Sequence, residues 1–295
     1  MSTVIPPWFS NALAVAPQEQ AIEVDGTRIH FLEWGERTNP GLVLVHGGAA
    51  HAHWWSYLAP FFSDKYSVVA LDMSGHGDSG WRSEYSRQQW AREVLAVADA
   101  ADMQRPPMVI GHSLGGMVTI EAAALHGDRI AGAIVIDSPV RRPDPESEEG
   151  RGGRAFRSPG VYESLDQALT HFRLVPDQPC DNQFIIDHIA RHSLHERESG
   201  WTWKFDPAVF RRPMATLHDQ LAAVNIRFAL LRGDKSIVVP PDTADYMYEL
   251  LGRSSPVIEI PEAHHHLLLD QPLALVAALR TLLADWHHSL PRGRA

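Results

Sequence analysis

Six short apolar runs constrain the fold more than any other feature of this chain. They are LVLVH (42–46), YSVVALD (66–72), PMVIGH (107–112), IAGAIVID (130–137), IRFALLRG (226–233) and PVIEI (256–260). Most lack the alternation of apolar and polar residues that a half-exposed strand shows, so they read as strands covered on both faces. Such a sheet needs a layer of helices on each side. Helical patterns lie between several of the runs: SRQQWAREVLAVADAADM (86–103), SLGGMVTIEAAALHG (113–127), PPDTADYMYELLG (240–252) and QPLALVAALRTLLADW (271–286). At the start, AIEVDGTRIHFLEW (21–34) reads as two strands joined at Asp25-Gly26, where Gly accepts the positive φ of a tight hairpin. The expected fold class is therefore α/β, with a mostly parallel central sheet, an N-terminal antiparallel hairpin and helices on both faces.

One stretch breaks the rhythm. Residues 138–215 contain no convincing strand and open on the charged run SPVRRPDPESEEGRGGR. Helical patterns follow at 163–174 and 182–196, then aromatic-rich GWTWKFDPAVF (200–210). This predicts a helical cap over the carboxyl edge of the sheet, with a flexible entrance near 141–155. The division expected is a discontinuous core at 20–137 and 216–288, a cap at 138–215, and terminal extensions at 1–19 and 289–295.

Charge narrows the partners. With 26 basic and 36 acidic side chains the formal charge is −10, which disfavours nucleic acid and anionic membrane surfaces. No run of about 18 uncharged apolar residues is present to span a bilayer. The opening MSTVIPPWFSNALAVAP has no basic n-region and carries two prolines where an apolar core would run, so it does not read as a signal peptide. A single cysteine, Cys180, precludes an internal disulfide and suits a reducing, cytoplasmic setting. Nothing in the sequence bears on the oligomeric state.

The chemistry centres on VIGHSLGG (109–116). Gly111-His112-Ser113-Leu114-Gly115 fits Gly-x-Ser-x-Gly between a strand and a helix, a turn so sharp that a Cβ at 111 or 115 would crowd neighbouring backbone. Ser113 would stand near the positive end of the following helix. A serine hydroxyl needs a base, and the base needs an orienting acid, in the chain order acid then histidine. Downstream, LLRGDKSIV holds Asp234 and VIEIPEAHHHLLLDQP holds three histidines.

These blocks, with LVLVHGG (42–48) and ALDMSGHGDSG (70–80), resemble the α/β-hydrolase fold superfamily over about residues 20–288. The family usually writes its last block as Ile-Pro-x-Ala-Gly-His, then apolar residues and a Glu/Asp-x-Pro. Matching Ile260-Pro261 and Asp270-Gln271-Pro272 at both ends puts the base on His265. His264 stands where Gly is common, which leaves His264 as an alternative; His266 is third. The resemblance implies Ser113 as nucleophile, Asp234 as acid, and Gly48 (or Ala49) and Leu114 as backbone oxyanion donors. Asp137, at the end of IAGAIVID, is the alternative acid, because some relatives place it there. No organic cofactor and no metal is implied. Adjacent histidines at 264–266 cannot easily face one metal, and His51-Ala-His53 has the same weakness.

Trp54, Trp203 and Phe205, with Trp55 and Trp201, are candidates for an apolar pocket, ordinary core packing being the other reading. The implied reaction is hydrolysis of a small or medium apolar carboxylic ester through an acyl-enzyme. Two alternatives stay open on the same scaffold. One is carbon–carbon bond hydrolysis or related cofactor-free chemistry, although such hydrolases commonly carry Trp where His266 stands. The other is a receptor that binds ligand with little turnover.

Overall fold

A computed structural model describes residues 4–103, 105–142, 160–211 and 215–288. The elements of the core, in chain order, begin with α1 (Pro7–Leu13), β1 (Gln18–Val24), β2 (Thr27–Trp34), β3 (Gly41–Val45) and β4 (Ser67–Leu71). Next come α2 (Arg87–Ala100), β5 (Met108–His112), α3 (Leu114–Leu125) and β6 (Gly132–Ile136). An inserted segment carries α4 (Leu165–Leu169), α5 (Gln183–His192), β7 (Leu194–Arg197) and β8 (Gly200–Trp203). The chain then returns through α6 (His218–Ala223), β9 (Arg227–Gly233), α7 (Pro241–Leu250), β10 (Val257–Ile260), α8 (Leu267–Asp270) and α9 (Pro272–His288).

Eight strands form one sheet in the order β1-β2-β4-β3-β5-β6-β9-β10. The pairs from β4 to β10 are parallel, and β1 and β2 add the antiparallel edge. The opening hairpin turns where expected: Val24 pairs with Thr27, and Asp25 and Gly26 take φ of 47° and 73°. The absence of alternation in the central runs has the anticipated cause. In β6, Ile134 and Ile136 pack in one layer with Leu275, Leu279 and Leu283 of α9. Ala133 and Val135 point the other way, into a layer with Ile120 of α3 and Met247 of α7. Each strand residue is apolar because each face is covered.

Two expectations shift. The opening residues are not merely an extension: α1 starts at Pro7, whose ring suits the first helical turn, and buries Phe9 edge-on against Phe184, with ring centroids 4.9 Å apart. The inserted segment is not purely helical. The helical run at 163–174 shortens to α4, and that at 182–196 stops at His192. The chain then enters the β7–β8 hairpin, in which Leu194 pairs with Trp203. Gly200 makes the hairpin possible: its φ is 119°, and a Cβ there would lie 2.5 Å from the Tyr162 carbonyl oxygen. Beyond Arg142, the expected entrance at 141–155 lies outside the described residues.

The functional consequence of the topology is local. Strands β5, β6 and β9 are neighbours and end at the same edge of the sheet. The residues that follow them, Ser113, Asp137 and Asp234, therefore share one rim, as does the loop after β10 that carries the histidines. Among the described residues no helix is long and apolar enough to cross a membrane.

Candidate active site

Ser113 follows β5 directly with φ 55° and ψ −120°, a conformation costly for any residue with a Cβ. The glycines around it are required by contact. A Cβ at Gly111 would lie 2.2 Å from the Gly115 carbonyl oxygen, and one at Gly115 would lie 2.4 Å from the carbonyl oxygens of Val45 and His46. The reward for that tight turn is position: Ser113 Oγ lies 3.1 Å from His265 Nε2.

His265 sits after β10 and is buried. Its Nδ1 lies 2.7 Å from Asp137 Oδ2. A carboxylate only accepts, so Nδ1 carries the proton and Nε2 is left to accept from Ser113. His264 is turned away, with its ring and backbone N–H both engaged by Asp270. His266 is buried beside Trp54, ring centroids 5.4 Å apart. Of the three histidines, only His265 meets both Ser113 and an acid.

The carboxylate that meets the ring is that of Asp137, not that of Asp234, on which the expectation was placed. The Asp234 carboxylate is exposed and accepts the backbone N–H of Ala263 at 3.1 Å, so it braces the histidine loop without touching the ring. Asp137 is turned inward by a φ of 47° at the end of β6. Its Oδ1 accepts the Gly233 N–H (3.2 Å), and its Oδ2 accepts both His265 and the Ser236 hydroxyl, the latter at 2.5 Å. Ser236 Oγ in turn accepts from Val238 N–H (3.1 Å) and Val239 N–H (3.3 Å), which aims its proton at Asp137.

Two further positions escaped the sequence reading. His112, beside the nucleophile, donates from Nε2 to the His265 carbonyl oxygen (2.9 Å) and ties the two halves of the site together. Burial, with the nearby His265 as the lesser cause, pushes His112 down to about 3, so it stays neutral in this role. His46 donates from Nδ1 to the Gly47 carbonyl oxygen (2.7 Å), while its Nε2 accepts from the Met73 N–H (3.1 Å). It thereby shapes the turn that follows β3. A Cβ on Gly47 would lie 3.3 Å from Ser113 Cβ, and one on Gly48 would lie 3.0 Å from the Phe210 ring and 3.7 Å from Leu114 Cδ2. The Gly47-Gly48 turn thus runs beside the nucleophile and the first residue of α3. Leu114 heads that helix, where an N–H has no intrahelical acceptor.

A cavity of about 370 Å³ opens next to this turn. Gly48, Trp54, Phe172, Trp203, Phe205 and His266 are among its walls. Trp55 does not contribute to that lining; it is fully buried in the core.

Buried neutral histidines give the fold a pH dependence. Burial holds His76 and His112 at about 3, and holds His266 well below its ordinary value. Below about pH 6.5 the unfolded chain binds protons at these three positions that the folded chain refuses, so stability is complete above that pH and falls beneath it. Each therefore contributes to a fall in stability as the pH drops through the range where a free imidazole takes up its proton. His30 acts in the opposite sense: burial opposes its charge, but the hydrogen bond to Asp72 prevails and raises its pKa, offsetting part of the loss. The urea midpoint is therefore expected to fall between pH 7.5 and 5.5, above the range where carboxylates titrate. Equal midpoints at the two pH values would contradict the account.

The sequence matches the model of the alpha/beta hydrolase family over residues 42–279. The chain belongs to the alpha/beta hydrolase family. Among this hydrolase's relatives, an esterase of Mycobacterium tuberculosis is 26% identical over 273 residues, covering 90% of each chain. A pimeloyl-[acyl-carrier protein] methyl ester esterase of Neisseria meningitidis is 26% identical over 250 residues, covering 81% of this chain and 91% of the relative. Among solved structures, E-2-(acetamidomethylene)succinate hydrolase superposes with a TM-score of 0.80 at 18% identity, over 91% of this chain and 99% of its own. That likeness concerns the fold.

Proposed function

We propose that this alpha/beta hydrolase cleaves a small or medium apolar carboxylic ester through an acyl-enzyme, with Ser113 as nucleophile, His265 as base and Asp137 as orienting acid. The observation that carries the reading is the unbroken hydrogen-bonded line from Ser113 Oγ through His265 to Asp137. Its geometry suits the chemistry. His265 Nε2 takes the proton as Oγ attacks the ester carbonyl carbon, and Asp137 stabilises the imidazolium that forms. The tetrahedral oxyanion sits between the backbone N–H groups of Gly48 and Leu114, each contributing about 3 kcal/mol to the barrier reduction. His265 returns its proton to the departing alcohol. It then removes one from water, whose oxygen attacks the acyl carbon, and passes that proton to Ser113 Oγ as the acyl–oxygen bond breaks.

The aromatic cavity beside Gly48 supports an apolar substrate of modest size. Esterase activity in the named relatives from Mycobacterium tuberculosis and Neisseria meningitidis agrees with the reading.

The test is covalent. A fluorophosphonate reacts with an activated serine by displacing fluoride, so it should add one phosphonyl group per chain, on the peptide that contains Ser113. Labelling should slow in the presence of a p-nitrophenyl ester. A chain that binds hydrophobic esters but resists labelling would be a receptor rather than an enzyme, and the proposal would fail.

A further inference from the structure

We propose that His53, His188 and His192 form a site for a divalent transition-metal cation of the zinc class, which fastens the inserted segment to the core. His53 belongs to the 3-10 turn after β3, whereas His188 and His192 lie on α5 in the insertion. In sequence, His51-Ala-His53 offers no complete ligand set; folding brings the other two imidazoles to it.

The geometry has three features of a ligand set. One nitrogen from each ring lies within 4.8 Å of the others. His188 and His192 stand at i and i+4, so they share one face of α5. All three rings are half-buried, removed from bulk water yet reachable. A tetrahedral cation needs Zn–N distances of about 2.0–2.1 Å, so the nitrogens must draw together by small side-chain rotations.

The tautomers are preset by outer partners, as in established imidazole sites. His192 donates from Nδ1 to the His188 carbonyl oxygen at 2.8 Å, which leaves the Nε2 lone pair free to ligate. The Ser56 hydroxyl donates to the His53 carbonyl oxygen at 3.0 Å, so its oxygen accepts from His188 Nε2–H at 2.8 Å. That leaves the Nδ1 lone pair of His188. The same two elements are braced alongside, where His51 Nε2 meets Ser193 Oγ at 2.8 Å.

Neutral imidazole is the ligating form. Two charges bear on the bound cation. The buried Asp72 carboxylate favours positive charge at His53, and Lys204 opposes it more weakly. Three imidazoles with one position left for water suit Zn, Co, Ni or Cu, and suit Mg or Ca poorly.

Cobalt(II) provides the probe, because nitrogen ligation in a tetrahedral field gives visible d–d absorption. Titrating the full chain should produce that absorption and saturate at one equivalent. His53→Ala and His192→Ala should each weaken binding by about 100-fold or more. His265→Ala should leave it unchanged, which separates this site from the other histidine cluster, His112–His265–His266. Fluorophosphonate labelling of His53→Ala and His192→Ala reports whether each has folded. For the unaltered protein, anomalous diffraction from a cobalt-soaked crystal should place the ion between the three rings, whatever the variants do. Absence of cobalt absorption, or absorption that survives both substitutions, overturns the proposal, as does an anomalous peak at His265.

Discussion

Replacing Ser113 with Ala should lower kcat on a p-nitrophenyl ester by about 10⁶-fold, the scale on which removal of the serine from an intact triad acts. The substitution tests chemistry more than folding. Ser113 contributes its backbone N–H to Ile136 and its carbonyl to the first turn of α3, and Ala retains both. Ala also keeps the Cβ, so the strain at φ 55° is not increased. The hydroxyl's partner is His265 Nε2, and the rest of that ring stays anchored through Asp137. The variant should therefore unfold in urea near the wild-type midpoint. What remains would be the oxyanion turn and the cavity acting on a water-driven reaction, worth about 10³–10⁴ over solution. A kcat within about 10-fold of wild type would remove Ser113 from the mechanism.

The sequence was most legible where steric necessity left one solution. The apolar runs from 42 to 233 became strands because a residue with helices on both sides must be apolar wherever it points, and the run at 256–260 became the half-exposed edge strand β10. Gly111 and Gly115 were readable for a similar reason: no side chain fits within 2.4 Å of a carbonyl oxygen. The family block bounded by Ile260-Pro261 and Asp270-Gln271-Pro272 put His265 ahead of His264, and in the structure Asp270 engages His264 while the His265 ring lies between Ser113 and Asp137.

Legibility fell where the deciding contact came from afar. The β7–β8 hairpin was hidden by the charged Glu196–Glu198 stretch, and the residues it packs beside, Tyr162 and Phe172, lie more than 20 positions earlier in the chain. Helix α1 depends on Phe9 finding Phe184, which comes from the insertion. Ser236 and His112 work through partners distant in sequence, so neither carries a local signal.

The choice between Asp137 and Asp234 belongs to this second class, and it yields the other large effect. Both residues follow neighbouring strands on one rim, and the family pattern in sequence favoured Asp234. A backbone torsion favours Asp137 instead. The positive φ of Asp137 swings its carboxylate under His265, where three donors meet it: Gly233 N–H, Ser236 O–H and His265 Nδ1–H. Asp137→Asn keeps the shape but puts an NH2 group against at least one of those donors, whichever way the amide is turned. With nitrogen toward His265, the ring must present its lone pair at Nδ1 and its proton at Nε2, and Nε2 can no longer accept from Ser113. With nitrogen toward Gly233, the ring keeps its tautomer but the imidazolium loses its counter-charge. The expected fall in kcat is about 10⁴-fold. Asp234→Asn retains the oxygen that accepts the Ala263 N–H, so the loop stays in place and kcat should change by no more than about 3-fold, the effect of a single exposed hydrogen bond. Assaying both proteins on one ester at one pH decides between them. The reverse order of effects would return the acid's role to Asp234 and break the line from Ser113 to Asp137 on which the proposed reaction depends.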